Sequence, residues 1–242
     1  MDVPRNASYY QEHLEEINQK LENLGDKRQD LNNRLQEIEE RKEKAYQRSP
    51  SLEQLIEVTK LEIEENKVSR QLVDLEGDEM RAESIRRECN IYLNHFSNRI
   101  TDRQFVNASS QEKYQRTITR WEYDIKNFSY DLKGNQLQIK LLGLLAAKGE
   151  ITALEKNERI ESLEQDSASL VDEISFREEN IFKTRKEKIG RMLGFNLDSG
   201  LIDSATWRYQ TSLLNQATSL SDRSEQAILS SKPNLDVTGK KK

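Results

Sequence analysis

The sequence predicts an all-α protein: elongated antiparallel helical hairpins or a coiled-coil bundle, then a shorter C-terminal helix and a disordered tail. Three observations carry this expectation. Of 242 residues only 34% are hydrophobic and 33% are charged, whereas a compact globule of this length draws roughly half its residues from the apolar set. Glycine (9) and proline (3) are too scarce for a disordered chain. The apolar residues recur at helical spacing, which gathers them into narrow seams.

The first seam is the clearest. Steps of four and three from Tyr10 reach Leu14, Ile17, Leu21, Leu24, Arg28, Leu31, Leu35, Ile38, Lys42 and Ala45, with nearly all intervening residues polar. Heptads sustained over this length require one or two partner helices rather than a broad core. Arg28 and Lys42 interrupt the seam. Either their stems pack and their heads reach water, or they fix register, as polar seam residues can. Ser49-Pro50 predicts the end of this helix and the start of the next, with Ser49 as cap. The short break implies an antiparallel hairpin.

The second helix is expected to run to about Asn98. It carries one stripe through Val58, Leu61, Val68, Leu72, Leu75, Ala82, Cys89, Leu93 and Phe96, and another through Leu52, Ile56, Ile63, Val73, Met80 and Ile91. Two stripes predict a helix held between two neighbours. Gly77 weakens its middle by about 1 kcal/mol relative to alanine. Residues 6–98 therefore read as an N-terminal hairpin.

Asn98 to Ser110 lacks a clean period and reads as a connection, with Ser109 and Glu112 forming a capping box. A third seam follows in Tyr114, Ile118, Trp121, Ile125, Phe128, Leu132, Asn135, Ile139 and Leu142. Its aromatics suit a thicker contact than a plain two-stranded coil, either as bundle core or as a partner-binding stripe. At Gly149 the helix either breaks, with Thr152 capping a new one, or runs on as a single rod. Ile151, Leu154, Ile160, Leu163, Leu170, Ile174, Ile181, Ile189 and Met192 continue the pattern to about Leu193. Residues 109–194 form this second long segment or hairpin. Gly194 to Gly200 reads as a stop. A short amphipathic helix is expected over 200–229, with Leu201, Ile202, Ala205, Tyr209, Leu213, Ala217 and Leu220 on one face. A basic disordered tail is expected over 230–242.

Charge is segregated along the chain although the net is −5. Glu53 to Glu79 holds nine acids and three bases, Arg81 to Arg120 eight bases and four acids, Glu155 to Glu179 nine acids and three bases, and Lys183 to Arg191 five bases and one acid. An up-down-up-down fold collects the basic segments at one pole. The residues available there to an anionic surface are Arg81, Arg86, Arg87, Arg99, Arg103, Arg116, Arg120, Lys183, Arg185, Lys186, Lys188 and Arg191. The helix dipole accounts for part of the pattern, since bases favour helix C-termini and acids N-termini.

Catalytic chemistry is not legible. Cys89 is the only cysteine, the two histidines are far apart, and no phosphate loop, zinc pattern or nucleophile elbow appears. No enzyme activity, cofactor or metal is expected. The seams point to a cytoplasmic structural or scaffolding protein, of a cytoskeletal kind, acting through homo-oligomerisation and protein partners. Leu14, Ile17, Leu21, Leu24, Leu31, Leu35, Ile38, Tyr114, Ile118, Trp121, Ile125, Phe128 and Leu132 are its expected contact residues. A membrane-surface helical protein using the basic pole is the first alternative. A nucleic-acid-associated coiled coil is the second.

Overall fold

Residues 6–216 are described by the computed structural model. Four long helices run in chain order: α1 (Ala7–Tyr46), α2 (Leu52–Phe96), α3 (Asp102–Lys148) and α4 (Ala153–Asp198). A fifth, α5, is described over 204–216, and no strand occurs among the described residues. Ala217, Leu220, the rest of the expected short helix and the tail over 230–242 lie outside the described residues. The chain divides into two compact units, one ending at Arg185 and one starting at Lys186.

In the first unit α2 lies between α1 and α3, the place its two apolar stripes require. Short connections make the neighbours antiparallel. Tyr10 near the start of α1 stacks on Tyr92 near the end of α2, ring centroids 4.5 Å apart. The α1–α2 contact is apolar and holds two core clusters. Ile38, Ala45, Val58, Leu61 and Val68 form one, with Leu31 and Leu35 against it. Tyr10, Ile17, Ala82 and Cys89 form the other, with Leu14 and Leu21 alongside. Ile56 and Val73, from the second stripe of α2, are buried as well.

The two charged seam positions of α1 do not simply send their heads into water. The Arg28 guanidinium pairs with Glu79, and Lys42 Nζ donates to Glu65 at 2.7 Å. Each ties one level of α1 to one level of α2, a contact that a shifted pairing of the two helices would lose. Lys42 is raised above its ordinary 10.5, chiefly by the hydrogen bond to Glu65, against an opposing push from burial. A raised folded-state value means that this contribution is complete below 10.5 and fades as pH climbs through the higher folded value. Lys42→Met is expected to lower stability by at most about 1 kcal/mol at neutral pH. In urea melts the gap from the parent should begin to narrow above pH 10.5 and close once the pH passes the higher folded value. A gap that persists there would contradict the pairing.

Helix ends depart from expectation at three places. The cap of α2 is Ser51 rather than Ser49: its hydroxyl accepts from Gln54 N at 3.1 Å. Pro50 precedes the cap and disfavours helical backbone in the residue before it. Buried Gln54 also donates to Ala45 O at 3.0 Å, closing the turn.

The expected connection over 98–110 is mostly helix. Asn98 takes a left-handed φ of 54°, and Thr101 with Gln104 forms the capping box that opens α3. The second long segment thus begins at 102 rather than 109. Ser109 and Glu112 lie inside the helix and cap nothing. The missing period has a cause: Phe105 is used locally, against Tyr92 and His95 with centroids 5.0 and 4.3 Å away.

The third departure is at Gly194, through which α4 continues to Asp198. One glycine inside a helix costs only about 1 kcal/mol. The stop is Gly200, with φ of 70° and Leu201 N bonded to Asn196 O at 2.9 Å. At Gly149 the structure decides for a break. Its φ is 80°, Glu150 N bonds Leu145 O at 3.0 Å, and Thr152 Oγ1 accepts from Glu155 N at 3.1 Å to open α4. The αL cap ends α3, and a residue with a Cβ would be strained there.

Candidate interaction surfaces and an arginine-lined groove

Where α1 meets α2 through oil, α2 meets α3 largely through polar and small groups. Asn66 Nδ2 donates to Tyr130 O at 2.9 Å. Gly134 lies against Asn66, where an added Cβ would sit 3.2 Å from Nδ2. Tyr123 Oη donates to Asp74 at 2.7 Å, and its ring rests on Gly77. Burial, then the Asp74 contact, push the Tyr123 phenol above its usual 10.0. Arg70 pairs with Asp131 at 2.7 Å, and Lys140 with Glu62 at 2.8 Å.

The densest part of this contact centres on Glu112, which is 9% exposed. Ser84 Oγ donates to it at 2.7 Å, and Arg87 grips both its oxygens at 3.0 and 3.1 Å. Ser84 in turn accepts from Arg116 Nε at 2.9 Å. A bidentate guanidinium–carboxylate pair with a third donor is strong because each hydrogen bond is charge-assisted. Beside it, α2 and α3 part to leave a groove of about 450 Å³. Met80, Ile85 and Tyr123 supply apolar surface, and Arg81, Arg87, Arg116 and Arg120 stand around it.

The contact residues named from the sequence fall into two places. Ile17, Leu24 and Ile38 are buried, and Leu14, Leu21, Leu31 and Leu35 half-buried, on the α1 side that faces α2. In α3, Ile118 is buried, while Tyr114, Trp121, Ile125, Phe128 and Leu132 are half-buried. Within the first unit this seam runs beside α4. Asn135 donates to Ser167 at 3.1 Å, and the Arg177 guanidinium sits 5.1 Å from the Phe128 ring centre. Half-burial of α4 at Ile160, Leu163, Ser167, Leu170, Ile174 and Arg177 repeats the three-four spacing.

The basic set is largely answered by acids. Arg81 pairs with Asp78, Arg86 with Glu83, Arg87 with Glu112 and Arg116 with Glu88. Lys183 pairs with Glu179 and Arg185 with Glu122. Arg103, Lys188 and Arg191 also interact with neighbours. Arg99 and Lys186 have no such partner among the described residues, nor does Arg120, which is exposed at the groove. Block counts of charge missed this pairing. The spacing of Asp78 to Arg81, Glu83 to Arg86 and Glu179 to Lys183 carried the signal, since residues three and four apart meet on a helix. The pairs between helices had no such signal, and the groove had none either.

Cys89 is 2% exposed in the α1–α2 core. Burial, then Glu88, push its thiol upward, away from the thiolate that nucleophilic chemistry needs. His95 Nε2 lies 2.8 Å from Asp102 Oδ1, bridging α2 and α3 at their turn. Among the described residues no cluster of His, Cys, Asp and Glu could hold a metal ion, and no helix is long and apolar enough to cross a membrane. Compared with known protein families, curated proteins and solved structures, the chain matches none.

Proposed function

We propose that this chain is a helical scaffold that works by binding other protein chains, a second copy of itself first among them. The observation that carries the reading is the set of large apolar side chains left open on α4 in the first unit. Leu154 is 70% exposed, Val171 50%, Phe176 57% and Phe182 37%. A long helix that spends one seam on α3 and still shows two phenylalanines to water has surface to offer a partner. The acids around them, from Glu155 to Glu179, leave room for a basic or self-complementary partner segment.

Sedimentation velocity over a concentration and salt series tests this. The parent chain is expected to run heavier than a monomer. Val171→Glu with Phe176→Glu should return it to monomer with its helicity unchanged. A parent that stays monomeric at every concentration, or a double variant that assembles as before, would refute the reading. Dissociation by salt would further assign the contact to charge.

Docking on an anionic membrane surface is supported by the second unit alone. There Ile189, Met192, Leu201, Tyr209 and Leu213 are 39 to 69% exposed, close in sequence to Lys186, Lys188, Arg191 and Arg208. Apolar groups interleaved with bases suit an interfacial helix. Cosedimentation with phosphatidylserine vesicles, but not with neutral ones, is expected on this reading. Failure with both would remove it.

A further inference from the structure

We propose that the groove between α2 and α3 binds a small organic anion, a single carboxylate or comparable head on an apolar body. Its volume, about 450 Å³, lies in the range of roughly 300–1,000 Å³ that small-molecule sites occupy. Its surface is divided as such a ligand requires. Met80, Ile85 and the Tyr123 ring, with Gly77 between them, give an apolar bed, while the arginines stand around it.

Charge balance sets the head group. Of the four guanidiniums, Arg81 is answered by Asp78, Arg87 by Glu112 and Arg116 by Glu88. Asp124, also at the groove, has Arg177 3.6 Å away, a guanidinium that Glu173 engages as well. Among the described residues Arg120 is the one groove guanidinium without an ion-pair partner of its own, so a ligand's head would meet a single unengaged cation. Inorganic phosphate brings too much charge and nothing for the apolar bed. A nucleic-acid backbone needs a run of free cations, which this site lacks. The paired arginines still matter. Glu112 and Ser84 hold Arg87 and Arg116 in place before any ligand arrives, so little ordering is left for binding to do. Their remaining N–H groups can donate to the head beside Arg120.

The test uses the full chain and straight-chain carboxylates below their micelle concentrations, followed by calorimetry and ligand-observed NMR. Hexanoate, octanoate and decanoate are expected to bind one per chain, more tightly with each added pair of methylenes. Octanol and inorganic phosphate should bind at least about tenfold more weakly than octanoate. Arg120→Gln, an exposed change that leaves the fold alone, should weaken octanoate by about tenfold. Met80→Trp should fill the bed and abolish binding, with unchanged circular dichroism. Absence of saturable binding by every carboxylate would overturn the proposal. So would equal affinity for octanol and octanoate, or affinity unmoved in both variants.

Discussion

Ile38→Asp is expected to unfold the first hairpin at room temperature, and Ile38→Ala to cost about 3 kcal/mol. Ile38 is 2% exposed and shares its cluster with Ala45, Val58, Leu61 and Val68. Truncation to alanine removes apolar contact and leaves a cavity that two stiff helices cannot close. Aspartate adds a buried charge. The nearest seam cation, Lys42, is already engaged by Glu65, so the new carboxylate has no partner, and an unpaired buried charge costs several kcal/mol or forces water inward. Urea and thermal melts followed by circular dichroism measure this. Val106→Asp is the control, since Val106 is 62% exposed and should move stability by no more than about 0.5 kcal/mol. Equal midpoints for the two aspartate variants would show that the α1 seam is not the buried one.

Gly77→Ala is expected to destabilise the protein by about 1 kcal/mol, opposite in sign to the usual effect. An alanine in a helix interior ordinarily gains about 1 kcal/mol over glycine. Here its Cβ would come within 2.6 Å of Tyr123 Cζ and 2.7 Å of Cδ2, with Cε2 closer still. The ring cannot simply swing away, because its hydroxyl is held by Asp74 at 2.7 Å. Overpacking of this kind costs roughly 1–3 kcal/mol, and the propensity gain does not cover the upper part of that range. The decisive measurement is the double-mutant cycle. In a Tyr123→Ala background the same Gly77→Ala change should turn stabilising. Gly143→Ala, with nothing within 4 Å of its added Cβ, should stabilise in either background. A Gly77→Ala effect that is the same with and without the Tyr123 ring would rule out the close approach as its cause.

Much of the fold was legible because it follows from periodicity. The four-three spacing from Tyr10 to Ala45 located α1 and its buried side, and the double stripe of α2 placed it between two neighbours. Gly149 was legible as a choice between two outcomes, which only the backbone angle decides. What escaped were features made of single residues answering one another across helices. Arg28 with Glu79 and Lys42 with Glu65 look like defects in a seam until the partner helix is in view. Ser109 three residues before Glu112 has the spacing of a capping box, yet the partners of Glu112, Ser84 and Arg87, are more than 20 residues away. Gly77 has the same history: propensity marks it as a weakness, and only the position of Tyr123 shows that nothing larger fits. The groove is defined by the space between two backbones, and no spacing rule along one chain reports that.

The contrast between the greasy α1–α2 contact and the hydrophilic α2–α3 contact sets how the first unit would come apart. Water competes for the hydrogen-bond partners of Asn66 and Asp74 and poorly for the contacts of Ile38 and Val68. Amide protons of the leading pair of helices should therefore be the last to exchange, while α3 lifts away earlier and more often. A molecule with one durable edge and one that opens readily can keep its own fold while lending a helix to something else.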